Sequence, residues 1–326
     1  MKIGSVLTSM KKGARAYVVL AGGLGNQLFQ ASALLGLDSR YRKLWLNGVS
    51  KPRLSNDGSP ESLTLLDLPN RVAPILFQGL LQKIVNLNLK QSVPDLEGIN
   101  RTLSAKIVKK FSEIIFSIVL FEKIRIINLV DEIPTIQKKA GSILLIGYFQ
   151  TSIYAQSVKN LVISNGEKIR HGRVEALDLH RDSENTSPLI IHVRRSDYQF
   201  DRNFGLLSDI YYRSALKEIP IKTDSIWVFS DDIEYARKML SQIAPSVTRW
   251  ISDVDHSSSM SLLAMSYGNT YIIANSTFSW WGAYLSGGSP LVYYPESWLK
   301  GIPHRKDLFP KNWIPIEGKY EKYEQY

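Results

Sequence analysis

The sequence predicts an α/β protein with parallel sheets and, at 326 residues, room for two ordinary cores. Two observations beyond length carry that expectation. Short runs of β-branched and aromatic residues each end in polar or turn residues, and helical stretches lie between them, so that strands and helices alternate from about 187 to 300.

The opening unit, AYVVLAGGLGNQLFQASALLGL, reads as an apolar strand, a glycine turn and a helix. SILLIGYF, PLIIHVRR, SIWVFSDD, TYIIANS and PLVYYP read as further strands, and DIYYRSALKEI, IEYARKMLSQI and SSMSLLAMSYG as helices among the later ones. In parallel sheets ligands sit beyond the carboxyl ends of strands, which is where HVRRSD, FSDD and NSTFSWW fall. Turn-rich breaks occur at SNDGSPES and LHRDSENTSP, and the second marks the domain boundary. The resulting plan is a flexible N-terminal tail over 1–15, an N-terminal domain over 16–180, a second domain over 181–300 and a C-terminal segment over 301–326. Residues 50–140 read as mixed and mostly helical.

Composition narrows the function classes. At 44% hydrophobic and 21% charged residues the chain is not composed like a disordered protein. No cysteine is present, which removes disulfides, thiolate metal sites and cysteine nucleophiles and suits a reducing compartment. No run reaches the roughly 18 apolar residues that span a bilayer; the nearest, Ile114 to Phe121, is bounded by Glu113 and Glu122. The basic start lacks the apolar run of a signal peptide. A net charge of +10 favours nucleotide diphosphates, acidic membranes or nucleic acid without choosing among them. No nucleic-acid recognition motif is present. Lys106, Lys109, Lys110, Lys123 and Arg125 surround Ile107, Val108, Phe111, Ile114, Ile115, Ile118 and Val119. A core-packed helix with a solvated basic face is the first reading of this cluster, and a surface-lying amphipathic helix the second.

Several stretches could carry chemistry. Gly22-Gly23-Leu24-Gly25-Asn26-Gln27 sits at a strand-to-helix turn, where backbone N–H groups favour an anion and glycine permits close approach. It lacks the third glycine of the dinucleotide fingerprint, and Arg42 stands some twenty residues past Gly22 where that fingerprint has an acid. His192-Val193-Arg194-Arg195-Ser196-Asp197-Tyr198 follows an apolar run, and alternation points the two arginines to opposite sides. One can grip a diphosphate while Asp197 or a neighbour holds the other. Phe229-Ser230-Asp231-Asp232 ends another run, where Ser230 or Asp231 could cap a helix or a carboxylate could meet a ligand. Asn275-Ser276-Thr277-Phe278-Ser279-Trp280-Trp281-Gly282 places small donors at a helix start ahead of packed rings, with capping by Ser276 or Thr277 as the structural alternative. Asp253-Val254-Asp255 matches a metal-binding Asp-X-Asp pattern but reads first as a turn. The scattered histidines His171, His180, His256 and His304 read as surface or satisfied residues.

Taken in order, GGLGNQLFQ, GYFQ, HVRRSDY, VFSDDIEYA and IIANSTFSWWGAYL resemble the bacterial α-1,2-fucosyltransferases, an inverting, GDP-fucose-dependent family, over about residues 17 to 300. The resemblance implies the GT-B arrangement, two Rossmann-like domains facing across a cleft, with the donor nucleotide mainly on the second. It implies that Arg194 contacts the donor pyrophosphate with Asp197 beside it and Asn26 near the fucose as the catalytic set. Gly23, Gly25, His192, Arg195, Ser230, Asp231, Asn275, Ser276, Thr277 and Phe278 would complete the substrate site. Asp197, the obvious carboxylate for general base, is expected to be held by Arg195, and a hydrogen-bonding role is its alternative. Ser196, Thr277 and Tyr284 depart from the family's glycine, serine and tryptophan, and Ser261 stands where an acid is frequent.

The implied reaction moves L-fucose from GDP-fucose to the 2-hydroxyl of a galactose in a glycan, with no metal or cofactor. The implied setting is surface-polysaccharide or O-antigen synthesis; the lack of a membrane-spanning run suits the cytoplasm, and the basic segment over 106–125 suits work on lipid-linked glycans peripherally at an acidic inner membrane, with no nucleic acid partner. Transfer from another nucleotide sugar and non-enzymatic carbohydrate binding are the rival readings.

Overall fold

The computed structural model describes residues 13–50, 69–92, 103–137, 139, 141–171, 179, 182–183, 186–199, 204–220, 225–244, 246–252, 258–299 and 304–321. The first sheet contains β1 (Arg15–Val18), β2 (Arg42–Asn47), β3 (Asn70–Val72), β4 (Ile124–Ile127) and β5 (Ser142–Leu145), ordered β3-β2-β1-β5-β4 with every pairing parallel. The second contains β6 (Leu189–Val193), β7 (Ile226–Ser230), β8 (Val247–Ser252), β9 (Thr270–Ile272), β10 (Leu291–Pro295) and β11 (Ile314–Ile316), also all parallel. Its order β11-β10-β9-β6-β7-β8 reads 3-2-1-4-5-6 from the β8 edge, the strand order of a complete Rossmann sheet. Arg15 opens β1, so the expected tail over 1–15 ends one residue too late. The stretch 301–326 contributes β11 to the second sheet.

Helices cover the sheets as parallel pairing requires. They are α1 (Leu24–Leu35), α2 (Gln78–Ser92), α3 (Leu103–Leu120), α4 (Ile133–Gln137), α5 (Gln156–His171), α6 (Asp209–Glu218), α7 (Ile233–Leu240), α8 (Ser258–Met265) and α9 (Thr277–Leu285). Alternation along β1 sends Tyr17 and Val19 to one core and Ala16 and Val18 to another. Leu189, Ile191 and Val193 of β6 likewise face one core while Ile190 faces a second.

That second core joins the domains. It combines Leu24, Leu28 and Phe29 of α1 and Val158 and Val162 of α5 with Trp280 and Trp281 of α9. Phe29 lies 4.6 Å from the Trp280 ring and 5.1 Å from the Trp281 ring, centroid to centroid. Arg305 adds a paired contact to Asp131, at 3.0 and 3.1 Å, and Ser152 donates its N–H and Oγ–H to the Asp307 carbonyl, each at 2.8 Å. The glycine turn after β1 meets the start of α9 after β9, so the two sheets face each other through the carboxyl ends of their strands. This is the GT-B-like plan.

The opposite end of the first sheet is tied by Glu122. Its carboxylate accepts from Ser142 Oγ at 2.6 Å, from Arg15 Nη1 at 3.1 Å and from the Tyr17 hydroxyl. Burial pushes the Glu122 carboxyl up, but hydrogen bonds from Ser142, Tyr17 and Arg15 outweigh it and hold the group below its ordinary value. A carboxyl depressed by folding stabilises the native state fully above its unfolded pKa, about 4.3, and loses that contribution as pH falls through the folded value. Glu122→Gln is therefore expected to cost about 1–2 kcal/mol at pH 7, with the difference from the parent chain shrinking below about pH 4. Denaturant melts across that range check it; a pH-independent difference would contradict the assignment.

Candidate active site

Strand β6 is buried along its whole length and delivers Arg194 and Arg195 at its carboxyl end. Strand order reverses between β6 and β9, so Arg194, Arg195 and the Asn275–Ser276 turn flank the switch point of the sheet. The two arginines, pointing opposite ways, have different partners. Arg194 Nη2 donates to Asp197 Oδ1 at 2.6 Å, Nη1 lies 3.0 Å from Asp231 Oδ2, and the guanidinium carbon lies 5.4 Å from the Tyr198 ring centroid. Arg195 Nη1 donates to both oxygens of Glu321, at 3.0 and 3.1 Å, and its guanidinium carbon lies 3.5 Å from the Tyr235 ring centroid. Tyr235 also donates its hydroxyl to Glu321. Burial, then that hydrogen bond, pushes the Tyr235 phenol up to about 12.

The expected Asp197–Arg195 pair is therefore corrected to Asp197–Arg194. The short 3₁₀ turn Asp197–Gln199 swings the carboxylate back over the residue three before it, while Glu321 takes Arg195.

Arg194 is held between an inner and an outer carboxylate. Its side chain is 17% exposed, that of Asp231 6% and that of Asp197 68%. Burial disfavours the charge, but Asp231, Tyr198 and Asp197 outweigh it and hold the guanidinium above its ordinary value. Arg194 Nε is buried and has no hydrogen-bond partner among the described residues. A buried unpaired donor beside a switch point suits an anionic acceptor from a ligand.

Neighbouring side chains serve this arrangement. Asp231 Oδ1 accepts the Arg195 N–H at 2.8 Å, which fixes the turn after β6. The cap of α7 is Asp232, accepting from the Tyr235 N–H at 3.1 Å, rather than Ser230 or Asp231, and this leaves Asp231 for Arg194. Ser230 Oγ, buried, accepts the Asp232 N–H at 3.0 Å. Asn275 Nδ2 donates to the carbonyls of Phe204 and Gly205 at 2.8 and 3.3 Å, and its own carbonyl accepts from the Tyr198 hydroxyl at 3.0 Å. Ser276 caps α9 by accepting from the Phe278 N–H at 3.3 Å. His192 is buried, with its ring 6.0 Å from that of Phe278. Trp280 and Trp281 are fully buried core residues.

The glycine turn completes the site from the other domain. Gly22 has φ of +77°, a conformation glycine tolerates. Gly23 precedes α1 with no side-chain cap, and Asn26 Oδ1 accepts from Gln150 Nε2 at 3.0 Å. Gly25 packs directly on α9: a Cβ there would lie 2.5 Å from the Thr277 carbonyl carbon and 2.7 Å from the Phe278 nitrogen.

The structure thus brings Arg194, Asp197, Asp231, Asn275 and Ser276 together, and Gly25, between Gly23 and Asn26 on the glycine turn, meets Thr277 and Phe278. Arg195 and Ser230 are turned to support the site. Sequence reasoning missed Tyr198, Tyr235, Gln150 and Glu321 as members. Tyr198 and Gln150 stand inside quoted motifs; nothing local marks Glu321, which acts across 126 positions. Asp253-Val254-Asp255, His180 and His256 lie outside the described residues. Ser261 is 1% exposed, in the core of the second domain.

The chain is 26% identical over 318 residues to an Escherichia coli "Alpha-1,2-colitosyltransferase", covering 91% of this chain and 97% of that one. It is 25% identical over 315 residues to the Escherichia coli "O-antigen biosynthesis glycosyltransferase WbnK", covering 92% of this chain and 100% of the other. Among solved structures, the fucosyltransferase NodZ from Bradyrhizobium aligns over 84% of this chain and 92% of its own, at 14% identity and a TM-score of 0.40. The sequence model of Glycosyl transferase family 11 matches residues 133–317. Since that match exceeds half of the chain and takes in the whole switch point from β6 to β11, the chain belongs to glycosyl transferase family 11.

Proposed function

We propose that this glycosyltransferase moves L-fucose from GDP-fucose to the 2-hydroxyl of a galactose residue in a glycan, with inversion and without a metal ion. The observation that carries the reading is Arg194, a largely covered guanidinium fixed between Asp231 and Asp197 with its buried Nε donor unused. In a single displacement the acceptor oxygen bonds to the anomeric carbon as the bond to the diphosphate oxygen breaks. GDP leaves with added negative charge, which Arg194 stabilises, and the acceptor proton passes to a base. Asp197, exposed on the outer side of Arg194, orients that guanidinium, and becomes free to accept the proton when diphosphate oxygens take over the arginine's hydrogen bonds. A permanent cation at the leaving group supplies the charge that a divalent ion would otherwise bring. Asn26 and Gly23 bound the sugar from the first domain, and Gly25 holds that turn in place by packing on α9. The related O-antigen glycosyltransferase supports an acceptor among surface polysaccharides; in this reading the acceptor is lipid-linked and faces the cytoplasm.

The related colitosyltransferase favours a second donor, the 3-deoxy counterpart of fucose. Incubation of the chain with GDP-fucose and a β-galactoside in excess EDTA is expected to yield an α-1,2-linked product, identified by NMR. A product formed only from the 3-deoxy donor would replace fucose by colitose, and loss of all product on chelation would refute the metal-free mechanism.

A further inference from the structure

Helix α3 presents a face that the reaction does not use. Ile107, Phe111, Ile114, Ile118 and Phe121 step by four and three along it, so they line one side, and each is more than half exposed. The other side packs Phe116, Val119 and Leu120 against α2 and β4. Phe121 closes the helix with φ of +54°, where the Glu122 N–H reaches back to the Ser117 carbonyl and the Phe121 N–H to that of Ile118. Glycine is the usual residue at that left-handed position. Here a phenylalanine bears the backbone strain while the residue is 90% exposed.

Basic residues edge the stripe. A depression of about 620 Å³ at the amino ends of β4 and β5, the end of the sheet opposite the glycine turn, is lined by Lys110, Ile114, Ile118, Lys123, Arg125 and Lys139. Glu113 and Glu122 also line it, but both are engaged. Glu113 accepts from the Ile126 N–H at 3.2 Å and lies 3.5 Å from Lys110 Nζ, and Glu122 is bound to Arg15, Tyr17 and Ser142.

We propose that α3 docks the chain on an anionic phospholipid bilayer, the apolar stripe entering among acyl chains and the lysine and arginine rim binding lipid phosphates. A second copy of the chain fits the same stripe less well. A twofold contact would set the basic rim against itself, with the nearby carboxylates already committed. The surface lies away from Arg194, so the inference stands whatever sugar the site transfers.

Co-sedimentation of the full chain with vesicles of phosphatidylglycerol and phosphatidylcholine, against vesicles of phosphatidylcholine alone, tests it. Binding is expected to the first and not the second, and to weaken as salt rises. Lys110→Gln with Lys123→Gln should weaken partition about 30-fold, at roughly fivefold for each charge near the surface. Phe121→Gly should weaken it about tenfold while leaving the thermal midpoint unchanged or raised, because glycine relieves the left-handed backbone. A merely structural role for Phe121 would lower the midpoint instead. Absence of binding to the anionic vesicles overturns the proposal, as does binding that the variants leave intact. A dimer in sedimentation equilibrium that Ile114→Ser with Ile118→Ser abolishes, without vesicle binding, would assign the stripe to a second copy.

Discussion

Arg194→Ala is expected to lower kcat/KM for transfer by about 10²-fold or more, roughly 3 kcal/mol of transition-state stabilisation, with most of the loss in kcat. The diphosphate carries charge in the ground state but gains more as the glycosidic bond breaks, so a cation fixed at that point binds the transition state more strongly than the substrate. Fixation is what the two carboxylates provide: the guanidinium stands ready between Asp231 and Asp197, with no reorganisation left for the moment of reaction. Arg194→Lys should recover little, because an ammonium keeps the charge and loses the planar fork. Removing Arg194 also strands the nearly buried Asp231, so thermal midpoints must be read beside the rates; Arg194→Ala combined with Asp231→Asn separates lost catalysis from lost stability. Arg195→Ala is the contrasting variant. Its side chain is spent on Glu321 and Tyr235, so its effect should fall mainly on the midpoint. A loss confined to KM in Arg194→Ala, or equal kinetic losses in both arginine variants, would show that Arg194 does not meet the leaving group.

The contrast between the arginines marks where sequence reasoning reaches its limit. Alternation in the motif after β6 puts the two guanidiniums on opposite sides of an extended chain without saying which faces the switch point; the choice of Arg194 comes from the family resemblance alone. Glu321 decides it, from a stretch that reads as a separate segment and reaches the site only because β11 adds to the sheet beside β10. The same physics governs the strands. Those buried on both faces, such as β6 and β7, stand out as mostly apolar runs. Strands β3 and β8 lie at sheet edges, are short or half exposed, and carry polar residues that mask them. The helical period of α3 was also visible, and its apolar content made core packing the natural first reading. Among the described residues only one side is packed, because no described element covers the stripe at spacing four and three.

Gly25→Ala is expected to destabilise the contact between the domains by about 1–3 kcal/mol and to reduce kcat/KM by up to about 10²-fold. One added methyl group has two opposed effects here. Gly25 lies inside α1 with ordinary helical backbone, where alanine by itself favours the helix by about 1 kcal/mol. A loss must therefore come from what the Cβ meets, which is the Thr277 carbonyl carbon at 2.5 Å and the Phe278 nitrogen at 2.7 Å. Both are backbone atoms at the start of α9 and have no rotamer by which to yield. Helix α1 would have to withdraw, loosening Phe29 from Trp280 and Trp281 and moving the glycine turn away from Arg194. Gly79→Ala provides the control, since a Cβ on that residue of α2 meets nothing within 4 Å and should be neutral or slightly stabilising. If the two variants behave alike in thermal melts and in transfer rate, then α1 and α9 are not in this contact during turnover, and the facing domains must work from a more open arrangement.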